Sequence, residues 1–370
     1  MKITAAVLHA CGGHQRPYGA GAPLSVQPLD LDPPRAGELL VRIDAAGLCH
    51  SDLSVINGDR PRPMPMALGH EAAATVVALG SPDDRLFAVG DRVVLVFLPA
   101  CGECVPCQSG EAYLCPNGAA ANGEGRLLNG GVRLHDAGEP VRHHLGVSAF
   151  ASHAVVDRRS AVKIDSDVQP EIAALFGCAV LTGVGAVLNT AGVRTGESLL
   201  VYGLGGVGLS AVLGAVAAGA QPVTAVDPSP EKRALALELG AARAVDPSEA
   251  AELPKADVVI ETVGRAAVLA QAYAAARRGG RVVTVGLPNP AEMLSIPAVS
   301  LVADAKTLMG SYMGSSIPAR DIPRYIALWK AGRLPVDRLL SSVNPLSAIN
   351  GLMDELADGR AIRQIVVPGD

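Results

Sequence analysis

The chain has 370 residues, enough for two or three domains that each bury a core. Its 31 basic and 36 acidic side chains leave a formal charge of −5, which argues against the basic face a nucleic-acid partner needs. Hydrophobic residues make up 49% of the chain but aromatics only 3%, so the interior draws on Val, Leu, Ala and Ile, and 41 Gly with 27 Pro imply many tight turns.

From Lys2 to about Asp157, short apolar runs such as "ELLVRIDAAG", "AAATVVALG", "GDRVVLVF" and "ASHAVVD" alternate with Gly, Pro and Asp. That pattern predicts a barrel-like β domain. Between Pro116 and Ser148 the periodicity fails, and the stretch reads as a long polar loop of the kind that usually carries function or disorder. No basic leader with an apolar core and a cleavage site stands at Met1, so a cytoplasmic protein is expected.

From about Glu171, "EIAALFGCAVLTGVGAVLN" has helical spacing. Then come "SLLVYG", a glycine turn, an Ala-rich helix, "PVTAVD", the helix "SPEKRALALELGA", "ADVVIETVG", a further helix and "GGRVVTVG". Strands alternating with helices predict a doubly wound parallel sheet. After about Met313, two more helices close the chain. Leu199–Pro222 is uncharged and long enough to span a bilayer. Since it contains "GLGGVG" and opens like a strand, it reads as a buried strand and helix, and no membrane partner is expected.

Seven cysteines without a signal peptide point to metal or catalysis rather than disulfides. Cys101, Cys104, Cys107 and Cys115 have intervals of two, two and seven residues. Two thiolates on each Cys-x-x-Cys turn reach one ion, and four thiolates close a tetrahedral zinc site with no open position. An iron–sulfur cluster is the rival, but its usual cysteine runs differ in spacing. The lobe at about 98–118 is therefore read as a structural zinc site.

"VYGLGGVG" sets Gly203, Gly205 and Gly208 in a G-x-G-x-x-G register between an apolar strand and a helix. In that context the motif predicts a dinucleotide turn, with Gly206 and Val207 inside it. Asp227 ends the next strand about twenty residues on, where a carboxylate accepts hydrogen bonds from an adenosine ribose and repels a 2′-phosphate. The first basic residue after it is Lys232. The expected cofactor is NAD rather than NADP.

Cys49, His70 and Cys178 remain. Two thiolates and an imidazole are the ligand set of an open, catalytic Cys₂His zinc, but each residue alone also reads as a buried thiol or a turn histidine. Together, "GLCHSD", "GHE", the four-cysteine lobe, "GC" before "TGVGA", "GLGGVG" with Asp227, and "AIRQIVV" resemble the zinc-dependent, medium-chain alcohol dehydrogenases over nearly the whole chain.

That resemblance implies a GroES-like catalytic domain at 1–179, a Rossmann NAD-binding domain at 180–313 and a return to the catalytic domain at 314–370. It assigns Cys49, His70 and Cys178 to a catalytic zinc, with Glu71 as a transient ligand and Asp52 orienting His70. Ser51 would pass on the substrate proton. His50 and Arg363 would meet the cofactor pyrophosphate, Lys232 the adenosine ribose, and Thr182 and Val207 the nicotinamide; Val285 joins the cofactor set. Phe97, His144 and Leu145 would line the substrate pocket.

The implied reaction is reversible oxidation of a primary or secondary alcohol to an aldehyde or ketone, by hydride transfer from a zinc-bound alkoxide to NAD. It uses two zinc ions per chain, in a homodimer that pairs strands after Gly280. One departure stands out: where many of these enzymes end the proton path on a histidine, this chain has Ser54. A thiol-dependent formaldehyde dehydrogenase shares that departure and is the alternative within the class. A non-catalytic NAD- and zinc-binding sensor is the alternative outside it.

Overall fold

The computed structural model describes Met1–Gly369, which fall into two compact units. The first joins Met1–Cys178 with Ile317–Pro323 and the stretch from Leu340 onward; the second joins Ala179–Ser316 with Arg324–Leu339.

In the first unit, strands Lys2–Leu8, Leu24–Leu31, Leu134–Asp136, Glu139–His143 and Met66–Ala67 close a small barrel. Ile3, Val7, Leu29, Leu31, Leu134 and Val141 fill it. A seven-stranded sheet lies in the same unit. Its central strand, Glu38–Gly47, pairs with Ala72–Leu79, His153–Asp157 and Arg363–Val367. Leu39, Val41, Ile43 and Ala45 alternate inward along that strand, while Arg42 and Asp44 meet each other outside.

The stretch 116–148 corrects the expected loop. It folds as helix Pro116–Glu124 and two of the barrel strands. A buried ion pair ties it down: Arg133 Nε donates to Glu38 Oε2 at 2.9 Å and Arg133 Nη2 to Glu38 Oε1 at 2.5 Å. The Arg133 backbone N–H donates to His143 Nε2 at 3.0 Å. Burial, reinforced by the Arg133 charge, pushes His143 down to about 3, so this imidazole is neutral.

The second unit carries six parallel strands in the order Arg243–Val245, Val223–Val226, Leu199–Tyr202, Ala256–Glu261, Ala276–Thr284, Thr307–Gly310. This is the 3-2-1-4-5-6 order of a doubly wound dinucleotide fold, whose direction reverses beside the first strand. Leu199–Pro222 contains strand Leu199–Tyr202 and helix Gly206–Ala218. Among the described residues no helix is long and apolar enough to cross a membrane.

The expected helix from Glu171 onward is interrupted. One helix runs Pro170–Leu175, another Ala179–Gly185, and Cys178 sits in the break. Glycine at 177 permits it, since a Cβ there would come within 2.6 Å of Leu95 O and 3.1 Å of Glu71 Cβ. The chain end also adds strands Leu340–Pro345 and Arg363–Val367 to the first unit's sheet, which the sequence pattern did not reveal.

Candidate active site and metal centres

Cys49 follows strand Glu38–Gly47 and caps the helix His50–Ile56 in extended conformation. A sulfur replaces the usual hydroxyl cap, and Asp52 Oδ2 accepts the Cys49 backbone N–H at 3.2 Å. A thiol at a helix N-terminus sits where its anion is favoured. His70 and Glu71 lie just before strand Ala72–Leu79. The break after Leu175 supplies Cys178. One ligand atom each from Cys49, His70, Glu71 and Cys178 lies within 4.8 Å of the others.

Two features fit a metal here. His70 turns Nδ1 to Asp52 Oδ1 at 3.0 Å, while its Nε2 is buried without a protein partner. The neighbouring Cys178 thiol and His70 outweigh burial and hold Cys49 well below the usual thiol range. Burial works to raise Asp52, but His70 and His144 outweigh it and keep it well below the usual carboxylate range. Burial pushes Glu71 up to about 7 against the pull of Arg363, whose guanidinium is hydrogen-bonded to Glu71 Oε1. Arg363, expected at the cofactor pyrophosphate, thus has Glu71 as its partner and is only 3% exposed.

Ser51 Oγ is 3.8 Å from Cys49 Sγ, and Ser54 Oγ donates to the Ser51 carbonyl at 3.0 Å. Phe97 meets His70 edge-on, with centroids 5.9 Å apart, and Leu145 is buried with φ +51°. His144 is buried, 1% exposed, and its Nδ1 is 3.1 Å from Asp52 Oδ1. His50 is exposed on the first turn of its helix.

The lobe cysteines also converge, with all four sulfurs within 4.8 Å of one another. Cys101–Cys107 and Cys104–Cys115 sulfurs are 4.0 and 3.9 Å apart. Tetrahedral ligation at a Zn–S length of about 2.3 Å requires about 3.8 Å between sulfurs, so the set fits zinc. Backbone N–H groups of Cys101 and Gly118 donate to Cys115 Sγ, and Cys104 N–H and Asn117 Nδ2 donate to Cys101 Sγ.

In the second unit, Gly203 turns the chain at φ +87°, and a Cβ on Gly208 would fall 1.8 Å from Gly203 O. The helix Gly206–Ala218 then starts with no acidic residue in its first turn. Asp227 Oδ2 accepts the Leu204 N–H at 2.7 Å, and Oδ1 accepts the Ser229 N–H at 2.9 Å. Lys232 is half-buried and Thr182 buried, while Val285 follows the fifth strand and bonds Glu261 O. Two features here escaped the sequence reading. Thr262 Oγ1 braces the turn through Tyr202 O and Gly203 O, and Met313, Gly314 and Ser315 all have positive φ.

Residues 35–166 match the alcohol dehydrogenase GroES-like domain, and residues 206–331 match the zinc-binding dehydrogenase family. The chain is 38% identical to the geraniol dehydrogenase of Castellaniella defragrans, across 94% of this chain and 95% of that one. It is 37% identical to the NDMA-dependent alcohol dehydrogenase of Amycolatopsis methanolica, across 99% of each. It belongs to the zinc-dependent, medium-chain alcohol dehydrogenases.

The benzyl alcohol dehydrogenase of Acinetobacter calcoaceticus superposes on this dehydrogenase with a TM-score of 0.92 at 29% identity, with both chains fully covered. The chain is thus an enzyme of alcohol oxidation with a small-molecule substrate, and the sensor alternative falls. The relatives' names favour an alcohol over the formaldehyde alternative.

Proposed function

We propose that this dehydrogenase uses NAD and two zinc ions per chain to oxidise primary or secondary alcohols, foremost those with an allylic or aryl group beside the carbinol carbon. The relatives named for geraniol and benzyl alcohol support that substrate class. The observation that carries the metal reading is the convergence of Cys49, His70, Glu71 and Cys178 within 4.8 Å around a buried, unpartnered His70 Nε2. Cys49, His70 and Cys178 hold the catalytic ion, Glu71 stands by as a transient ligand, and Cys101, Cys104, Cys107 and Cys115 hold the structural one.

When bound, zinc supplies a Lewis acid for the alcohol oxygen, and NAD supplies the hydride acceptor. The chain's own work is positional. Asp52 fixes the His70 tautomer, Ser51 Oγ takes the substrate proton, and Phe97, His144 and Leu145 shape the pocket and exclude water. Ser54, whose hydroxyl donates to the Ser51 carbonyl, offers no imidazole to end the path, so the proton leaves through His50, the cofactor ribose or ordered water. The turn from Gly203 to Gly208, with Thr182, Val285 and Lys232, forms the cofactor face of the second unit, and Asp227 selects against a 2′-phosphate. His50, exposed on its helix, and Arg363, once it leaves Glu71, are the first unit's groups assigned to a pyrophosphate contact.

The first unit is accordingly the catalytic domain and the second the cofactor domain. A cytoplasmic homodimer completes the reading. Its support is the open edge strand Thr307–Gly310 of the second unit's sheet and the exposed Val299 and Val302.

The test measures zinc per chain and NADH formation over a panel of allylic, benzylic, aliphatic and secondary alcohols, with NAD and NADP side by side. Two zinc ions, a preference for NAD and fastest turnover of allylic or benzylic alcohols are expected. One zinc ion, or full activity of Cys49→Ser, would overturn the assignment.

A further inference from the structure

Asp52 Oδ1 faces two imidazoles, His70 Nδ1 at 3.0 Å and His144 Nδ1 at 3.1 Å. The Gly69 N–H donates to the same oxygen at 3.2 Å, and the Cys49 N–H donates to Oδ2 at 3.2 Å. The carboxylate is fully buried, so these groups bear the whole of its charge. The two rings pack edge-to-face with centroids 5.6 Å apart. The His70 contact meets hydrogen-bond geometry; that of His144 is more oblique and acts as a charge–dipole contact.

Asp52, His70 and His144 are also close enough together to suggest a cation among them. The chemistry argues otherwise. Asp52 Oδ1 already receives two N–H donors, and a cation there would meet their positive ends. His144 is also not among the residues whose ligand atoms converge at Cys49, His70, Glu71 and Cys178.

We propose that His144 is a positioning residue of the catalytic metal centre, which steadies Asp52 behind His70 and thereby governs how firmly His70 grips the ion. One carboxylate, Asp52, sets the tautomer of a ligand and depends on a non-ligand to stay in place. The inference rests on the metal reading above. It also goes further, because the pocket role proposed for His144 requires only its shape.

The test is zinc release from the holoenzyme to a chromogenic chelator, with Co(II) substitution as a spectroscopic check on the catalytic site. His144→Phe keeps a ring but loses the N–H. One ion per chain should then leave about 10- to 100-fold faster, as expected when the partner behind a metal-bound histidine is disturbed. The ion of the four-cysteine lobe should leave at the native rate. His144→Asn, which places an amide near the Nδ1 position, should recover most of the grip and the native Co(II) spectrum. His144→Gln, which reaches instead to the Nε2 position, should not.

Native release from His144→Phe overturns the proposal, as does a third metal ion per chain. If His144→Phe does not fold, the Asn and Gln variants decide: equal release rates for the two overturn it. A Cys49→Ser protein that keeps both zinc ions would instead overturn the metal reading itself, so the two failures are distinguishable.

Discussion

Cys101, Cys104, Cys107 and Cys115 span fifteen residues; Cys49 and Cys178 stand 129 residues apart, and the His70 and Glu71 that join them are buried. The lobe needs little beyond its own backbone, since neighbouring N–H groups and Asn117 aim at its sulfurs. The proposed catalytic centre instead draws on distant parts of the first unit, setting Asp52, Glu71 and Arg363 around its candidate ligands. A closed ligand set can be local because it only has to hold. An open one needs surroundings that orient each ligand and exclude water, and those come from distant segments.

If that contrast holds, Cys49→Ser should reduce turnover below detection while shifting the melting temperature little. Steady-state assay beside calorimetry would show it, and a large melting shift with residual turnover would break the contrast. Cys104→Ser should do the reverse. Its melting temperature should fall by about 5–10 °C, and the activity of the protein that remains folded should stay near native. Equal thermal effects of the two substitutions would erase the distinction.

A third measurement sharpens the comparison by isolating a part of the first unit with no cysteine. His143 stays neutral in the fold to about pH 3, whereas an unfolded histidine takes up its proton near pH 6.5. Between those values the unfolded state binds more protons, so stability falls as the pH falls. The contribution has a slope of at most about 1.4 kcal/mol per pH unit. In denaturant titrations from pH 7 to 5, His143→Asn should be less stable at pH 7 and show a flatter pH dependence; an unchanged slope would refute the assignment. The smallest expected effect belongs to Asn117→Ala, which removes one N–H···S bond at the lobe. Loss of about 1 kcal/mol and a modest rise in zinc release from that site alone are expected.

What could be read in advance follows the same division. The lobe and the glycine turn are local motifs, so their residues stood together in the sequence. The strands of "ELLVRIDAAG" and "AAATVVALG" were visible because one face of each alternates. The segment 116–148 was not, because its strands are three and five residues long and are held by the Arg133–Glu38 pair, a partnership 95 residues apart. The break at Gly177 was hidden because the apolar spacing continues through it, and only the approach of Leu95 and Glu71 calls for a glycine. His144 meeting Asp52 had no local sign either, since 92 residues separate them and positive φ at Leu145 appears only in the folded chain.

The two backbone N–H groups that Asp227 holds bear on any redesign of this enzyme's coenzyme preference. Its carboxylate ties the tip of the glycine turn, at Leu204, to the start of the next helix, at Ser229. On the proposed reading of Asp227, exchanging it for a small neutral residue to admit a phosphorylated ribose would also unfasten the glycine turn. Selectivity and binding strength would then be coupled through one side chain, and a successful redesign would have to rebuild the fastening elsewhere before changing the charge.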